Sequence, residues 1–585
     1  MDVKPVKKTE QEILIDIQMS AKQKARLPDI LTVLTGSLII LALSVFMFIF
    51  PDNTFSEQEN RPLQEFPKIS TEGKFLDRLA DGKFTAEIAT YYADQFPFRD
   101  IFVGIKGAAE IGLLKGENNG VINGKEGYLI TRDPMEKDFN EARDQLSKNI
   151  DEISAFADVM DQMGKIPVTL AAAGRSVDVL STYLPATYPK TFSENLWNLF
   201  IGLADYAPNV ARLDLVAPLK QLIERGGVGQ LYYKTDHHWT TLGAYYAYVE
   251  IIKSFKEEGL EPLPLSAFTR EIASDQFYGT TWSKAGMKWI EPDVMEYFRY
   301  EGDEDFVTTI VDTGISFNGF YDRSYLDKKD KYGSFISGNN ERVNVTKPQN
   351  PGDPPRPKML LLKDSFAHSV VPFLAIHFDL VILDLRYYMK QTAKLVFEEK
   401  IDRVLFLHNL GNLIEVGPGL YGEPGLGAGI LQYGVEEALE NYRMDQYPIK
   451  KIYINGNPIN DYVIVVPTDE SDSRKYYINA AESLQSIIRD RAGVELEIVK
   501  TDDFSNLDKV IAFTNEGLPA AGLIKIATEG DNLVFRCNIG SDSPGYAASL
   551  FIDKYIKKAT GSFNFGDNFI YSDTGDSVIM IRPGG

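Results

Sequence analysis

The longest apolar stretch of the chain, ILTVLTGSLIILALSVFMFIF at residues 30–50, carries no charge and has no polar face. It is about as long as a bilayer core is thick, so it predicts a membrane-crossing helix in preference to a buried core helix. No small-residue cleavage site follows before PDNTFSEQENRP, which argues against a removable signal peptide. Residues 51–118 then mix Pro, Gly and charge with amphipathic stretches such as GKFLDRLADGKFTAEIATYYADQF, predicting a juxtamembrane helical region.

From 119 to 446, short apolar runs alternate with helical periodicity. IPVTLAAAG (166–174), VARLDLV (210–216), PKMLLLKDS (357–365), FDLVILDLR (378–386) and DRVLFLHN (402–409) predict buried strands. TLGAYYAYVEIIKSFKEEG predicts a helix that ends at Gly259. This alternation predicts an α/β domain with a mainly parallel sheet, helices on both faces, and a site at the C-terminal ends of the strands. The stretch 328–357, polar and rich in Pro, Gly and Asn, reads as an insertion or flexible connection. A break falls near 447. Beyond it, KKIYINGNPINDYVIVVP predicts a hairpin with an Asn-Gly turn. A helix at about 472–492, strands near 494–499 and 508–513, a hairpin over 522–538 and a helix at about 544–559 complete a second, smaller αβ domain, 447–585.

Charge orients this plan. Lys22, Lys24 and Arg26 precede the apolar run, while Asp52, Glu57 and Glu59 follow it. The positive-inside rule therefore places residues 1–29 in the cytoplasm and the body outside, as a single-pass membrane protein. A formal net charge of −22 argues against nucleic acid as a partner, because phosphate binding needs a basic surface. The one cysteine, Cys537, excludes an intrachain disulfide and any Cys-based zinc cluster.

Against that background, YYKTDHHWTTLG (232–243) places two of the five histidines beside Asp236, just before a helix that Thr240 or Thr241 can cap. A carboxylate there can accept from imidazole Nδ1 of His238 and leave Nε2 free as a base. The nucleophile must come from another segment, and KMLLLKDSFAHSVV supplies Ser365 on a strand–turn–helix. The Phe366 N–H and, at another strand end, Asn409 are the oxyanion candidates. A serine in that position is more often only a helix cap. Asp236, His237 and His238 are also zinc-ligand types, yet adjacent side chains rarely converge on one ion, and His368, His377 and His408 lack ligand spacing with them. No metal or cofactor is expected. Trp239 reads as packing. Arg386, Tyr387 and Tyr278 are substrate-binding candidates, although Tyr387 and Tyr388 read equally well as ordinary surface.

TDHHWTTLGAYYAY resembles the signature of the DHHW family, relatives of the alginate O-acetyltransferases AlgX and AlgJ. FSEQENRPLQEFP (55–67), DQFPFRD (94–100), NGVINGKEGYLI (119–130), FYGTTWSKAG (277–286) and LLLKDSFAHS (360–369) extend the resemblance over roughly 51–440. It implies an SGNH-hydrolase-like fold with rearranged chain order, in which Asp236 and His238 fall on the Asp and His of a Ser-His-Asp triad, His237 on its variable neighbour and Ser365 on the nucleophile. The implied activity is O-acetylation of a cell-envelope or secreted polysaccharide, with a membrane-bound O-acyltransferase (MBOAT) partner passing the acetyl group across the membrane. A deacetylating esterase and a non-catalytic glycan-binding or assembly protein are the alternatives. Two departures stand out: Lys363 occupies the place of the usual SGNH glycine, and no Gly-x-Asn block is evident as the source of the second oxyanion donor, which stays unassigned. The C-terminal domain resembles the small αβ domain of β-hexosaminidase- and α-glucuronidase-type glycoside hydrolases without their barrel, implying an accessory module.

Overall fold

A computed structural model of the chain describes residues 9–56, 61–68, 74–132, 139–189, 191–203, 206–255, 259–414, 428–446, 449–468, 475–516, 524–537, 543–556, 561–565, 570–573 and 578–581. The flanking charges Glu57 and Glu59, and residue 447 at the expected domain break, lie outside the described residues. The chain divides into two compact units. The first comprises Met1–Ser154, Pro167–Met389 and Ile401–Ala428, and the second Ala155–Ile166, Lys390–Lys400 and Gly429–Gly585.

In the first unit, helix α1 (Glu10–Ile49) carries the apolar run and extends it backward through Pro28. Its segment Pro28–Ile49 has a mean hydropathy of 2.4 and is long and apolar enough to cross a membrane. Leu38, Ile40 and Leu41 on it are exposed, as a lipid-facing surface requires. Helices α2 (Lys83–Asp94) and α3 (Arg99–Gly112) follow. Polar groups in DQFPFRD fix where the chain leaves α1. Asn53 N–H donates to Gln95 Oε1 at 2.9 Å, and Gln95 Nε2 donates back to Asn53 O at 2.9 Å. The buried Asp94 accepts a two-pronged contact from Arg61 and the Gln64 N–H.

The core of this unit is an eight-stranded sheet. Its strands are β1 (Val168–Ala173), β2 (Ala211–Asp214), β3 (Val307–Ile310), β4 (Ile315–Asn318), β5 (Arg342–Thr346), β6 (Lys358–Lys363), β7 (Asp379–Leu383) and β8 (Arg403–Asn409), in the order β4-β3-β5-β7-β6-β8-β1-β2. The five strands β7-β6-β8-β1-β2 are parallel, and β5, β3 and β4 extend the sheet antiparallel. On β6, Met359 and Leu361 enter one large core cluster, while Leu360 and Leu362 are equally buried on the opposite face. Burial on both faces explains why these strands read as unbroken apolar runs. Helix α4 (Thr241–Ser254) packs in the first cluster through Leu242, Tyr248 and Ile252. Its Thr240 cap accepts from Gly243 N–H at 3.2 Å. Helix α5 (Thr280–Ala285) sits against the hairpin strands at 121–123 and 129–131, where Val121, Leu129, Ala285 and Met287 share a small core.

One expectation is overturned here. The stretch 328–357 is not a mere flexible insertion, because it contributes β5 to the centre of the sheet, with Val343 and Val345 buried. Five residues with only two large apolar side chains give a pattern too short to stand out from polar flanks.

The second unit has its own core, in which Ile464, Tyr477, Leu484, Phe513 and Phe535 are buried together. Strands Ile449–Ile454 and Asn457–Pro458 form a tight hairpin across Asn455 and Gly456, both at positive φ, as an Asn-Gly turn requires. Val463–Val466 leaves that hairpin and joins a second sheet, parallel to Ile498–Lys500 and Val510–Thr514. Ile524–Glu529 and Asn532–Arg536 pair antiparallel, and helix Lys475–Ala492 packs on this core.

Candidate active site

The turn between Tyr232 and Trp239 is closed by an isolated bridge between those residues and by Thr240 N–H donating to Leu231 O at 2.9 Å. It is also held from outside. Asp293 accepts from Gln230 Nε2, Lys234 N–H, Thr235 N–H and Thr235 Oγ1, at 2.6–3.0 Å. Burial pushes the Asp293 carboxyl above its ordinary range despite those donors.

Within this frame Asp236, His238 and Ser365 form a continuous hydrogen-bonded row. His238 Nδ1 lies 2.5 Å from Asp236 Oδ1, and His238 Nε2 lies 2.7 Å from Ser365 Oγ. Asp236 also accepts the His238 N–H at 3.0 Å, while its other oxygen accepts Thr280 N–H at 2.7 Å and Thr280 Oγ1–H at 2.9 Å. Burial acts to raise the Asp236 carboxyl, but the adjacent His237 and His238 and these hydrogen bonds outweigh it and hold the group well below the usual carboxylate range. An ionised Asp236 accepts only, so His238 Nδ1 donates to it and Nε2 is left to accept from the serine hydroxyl. Asp236 and His238 are almost wholly buried, and Ser365 is the partly exposed member.

Ser365 follows β6 in a single helical turn, Ser365–Ala367, at the C-terminal edge of the parallel strands. The buried Asp364 organises this turn. Its carboxylate accepts Phe366 N–H at 2.8 Å, Asn409 N–H and Asn409 Nδ2 at 2.7 Å each, and Asn412 Nδ2 at 2.6 Å. Of the two expected oxyanion donors, the Phe366 N–H therefore needs correcting. The Phe366 N–H is engaged by Asp364, and Asn409 aims an amide hydrogen at the same carboxylate while its Oδ1 accepts from Asn412 N–H. The Ser365 N–H has no acceptor among the described residues, which leaves it available to a developing oxyanion.

Trp239 is buried, as expected, but it is also a strut. Its Nε1–H lies 3.0 Å from Phe366 O and 3.1 Å from Ser369 Oγ, joining the histidine turn to the serine turn. The Tyr332 ring stacks on His238 at 4.1 Å, and its hydroxyl meets Ser369 Oγ at 3.0 Å. His237 is 39 % exposed; its Nδ1 lies 2.7 Å from Thr280 Oγ1.

Lys363, which replaces the usual glycine, turns out to be buried. Its Nζ donates to Asp384 Oδ2 at 3.0 Å and to His368 Nε2 at 2.9 Å. Burial lowers the Lys363 pKa in spite of Asp384. Arg386 closes on the same carboxylate through Nε at 2.8 Å and Nη2 at 2.6 Å. Arg386, expected as a substrate-binding candidate, thus has its Nε and Nη2 paired with Asp384 while its side chain stays partly exposed. Tyr387 is partly exposed, with the Arg386 guanidinium 5.6 Å from its ring centre. Tyr278 packs on Trp282 at 4.5 Å and lines a small pocket with Asp236, Phe277, Thr280, Lys329 and Asp330. Asp236, His237 and His238 offer ligand atoms within 4.8 Å of one another, the one such metal-competent group among the described residues. The Asp236 oxygens are already taken by His238 and Thr280, so an ion there would have to displace the row itself.

Thr280, Asp293, Tyr332 and Asp384 are the supporting residues that the sequence alone did not single out. Thr280 lies inside the quoted FYGTTWSKAG motif, which was its one available signal.

The class defined by this fold and site is a mixed α/β protein with an Asp-His-Ser row at the edge of a mainly parallel sheet. Residues 219–383 match the family model described as DHHW protein. The chain is homologous to proteins named probable alginate O-acetylase AlgJ. It is 28 % identical over 200 residues to that of Pseudomonas putida, covering 34 % of this chain and 50 % of the relative. It is 24 % identical over 218 residues to that of Pseudomonas syringae pv. tomato, covering 37 % and 54 %. The chain thus spans about half the length of the curated relatives it matches. Among solved structures, Bacillus cereus PatB1 with a sulfonyl adduct aligns with 51 % of this chain and 98 % of its own, at 22 % identity and a TM-score of 0.41.

Proposed function

We propose that this protein is a membrane-anchored, extracytoplasmic O-acetyltransferase acting on a cell-envelope or secreted polysaccharide through Ser365, His238 and Asp236. The observation that carries the reading is the row itself, with His238 Nε2 at 2.7 Å from Ser365 Oγ and Nδ1 held by an ionised Asp236. The similarity to proteins named probable alginate O-acetylase supports the acyl group as acetyl and the acceptor as a glycan.

In this reading Ser365 Oγ attacks the acetyl carbonyl and gives its proton to His238 Nε2. The Ser365 N–H steadies the negative charge on the carbonyl oxygen. Collapse of the tetrahedral adduct breaks the bond to the donor's leaving atom, which takes the proton back from His238 and leaves acetyl-Ser365. A sugar hydroxyl then attacks, His238 accepts its proton, and the ester passes to the glycan as Ser365 Oγ is reprotonated. Asp236 orients the imidazole and balances its charge during both steps. Helix α1 would hold the body at the outer membrane face, where an MBOAT partner would deliver the acetyl group, with residues 1–29 in the cytoplasm. The second unit would act as an accessory glycan-associating module.

The test is the ester content of purified envelope and secreted glycans in wild-type, deletion and Ser365→Ala strains. Lower acetylation in Ser365→Ala is expected. Higher acetylation would identify a deacetylating esterase instead, and an unchanged level with a deletion phenotype would identify a binding or assembly protein.

A further inference from the structure

Helix α3 has a face that no described residue of the first unit covers. Ile101, Phe102 and Ile105 are exposed, and Ala108, Ala109 and Gly112 continue the same stripe at helical spacing. Leu113 and Leu114, 74 % and 91 % exposed, extend it past the helix end. The opposite side of α3 docks on the body. Gly107 is buried so close to Gly286 O that a Cβ there would meet it at 2.6 Å, and Ile111 packs beside the Val121–Ala285 core. An apolar stripe of this length on an otherwise acidic protein marks an interaction surface.

Its position says what covers it. Phe98, the residue just before α3, sits in the left-handed region at φ 58°, a backbone state that ordinary side chains disfavour. Its ring is held edge-on against two rings on the last turns of the apolar helix, Phe46 at 5.9 Å and Phe50 at 5.8 Å. The reciprocal Asn53–Gln95 hydrogen bonds fix the same junction from the polar side. The N-terminal end of α3 is therefore clasped to the point where α1 would leave the bilayer, and an apolar face beginning there meets lipid before it meets water.

We infer that α3 is an interfacial helix, lying in the leaflet that α1 exits into, with Ile101, Phe102, Ile105, Leu113 and Leu114 among the acyl chains and headgroup boundary. Phe96 and Phe98 occupy the interfacial level where aromatic rings concentrate. The membrane contact thus comprises an in-plane helix as well as a spanning one. Because Gly107 of α3 packs on Gly286, just past the helix whose Thr280 holds Asp236, the in-plane helix fixes how the catalytic body is presented to the membrane surface.

The inference rests on reading α1 as the membrane anchor, and the experiment separates the two. The full chain is reconstituted in phosphatidylcholine–phosphatidylglycerol vesicles with bimane placed on Ile105→Cys, Leu41→Cys or Tyr206→Cys. Cys537 is fully buried and does not compete for label. Quenching by acyl-brominated lipid should remove most of the fluorescence at 105 from a shallow depth and at 41 from a deeper one. It should leave the exposed body position 206 bright. Ile101→Glu combined with Ile105→Glu should abolish quenching of a label on Leu113→Cys while a label at 41 stays quenched and ester hydrolysis is unchanged. Quenching at 41 without quenching at 105 overturns the interfacial helix and leaves the anchor standing. Loss of quenching at both overturns the two together. Shielding of 105 only when a membrane protein is co-reconstituted overturns the lipid contact in favour of a protein partner.

Discussion

Gly279→Ala offers a sharp test of the row, because the glycine touches no substrate in the proposed reaction. Gly279 has φ −81° and ψ −173°, a conformation that alanine adopts freely, so the backbone is not the issue. The added Cβ would lie 2.3 Å from both Cβ and Oδ2 of Asp236 and 2.6 Å from its Cγ. Ordinary contact begins near 3.4 Å, so the carboxylate must retreat by 3.4 − 2.3, about 1 Å. A shift of that size breaks a hydrogen-bond set whose members span only 2.5–3.0 Å. Misplacing a catalytic group by about 1 Å costs on the order of 100-fold in rate, equivalent to about 2.7 kcal/mol of transition-state stabilisation. Overpacking should also cost about 1–3 kcal/mol of stability. The assay is steady-state hydrolysis of p-nitrophenyl acetate, with folding checked by circular dichroism and urea denaturation. We expect kcat to fall about 100-fold with KM little changed, and the loss to be non-additive with Asp236→Asn. A well-folded Gly279→Ala with kcat within about twofold of wild type would refute the role given to Asp236.

Further outcomes follow from the same geometry. Ser365→Ala and His238→Ala should each lower ester turnover by several orders of magnitude in folded protein, and acetyl-Ser365 should be trapped by mass spectrometry in the wild type. Lys363→Met removes one of the two cations on the buried Asp384; it should cost about 3 kcal/mol in urea unfolding, the low end for a broken buried pair because Arg386 remains. Asp236 is held below its ordinary pKa, so its contribution to stability is complete above about pH 4, the unfolded value, and drains as pH falls toward the folded one. Urea midpoints of wild type should therefore fall more steeply than those of Asp236→Asn between about pH 5 and 3, and parallel curves would contradict that. Ester hydrolysis should survive excess chelator, whereas its loss and recovery with zinc would reassign Asp236 and His237 as ligands.

Some of this was present in the linear chain. The apolar run at 30–50 needed no context, since 21 uncharged residues suffice to define a helix that long and apolar. The parallel strands were visible because burial on both faces leaves unbroken apolar runs such as KMLLLK and RVLFLHN. Asp236, His238 and Ser365 could be picked out because an Asp two residues before a His is a local relation, and strand–turn–helix is a local shape. Other features exist only in three dimensions. Thr280 is 44 residues from Asp236 in sequence, Asp293 is 58 from Thr235, and Tyr332 reaches His238 from a stretch whose composition reads as a loop. Strand β5 is too short to register against its polar flanks, and only pairing with β3 and β7 gives it its place. The Phe366 oxyanion candidate failed for the same reason. Chain position puts the Phe366 N–H and Asn409 near the serine, but only packing reveals that the buried Asp364 carboxylate has already gathered them, since a carboxylate taken out of water must find donors wherever the fold brings them.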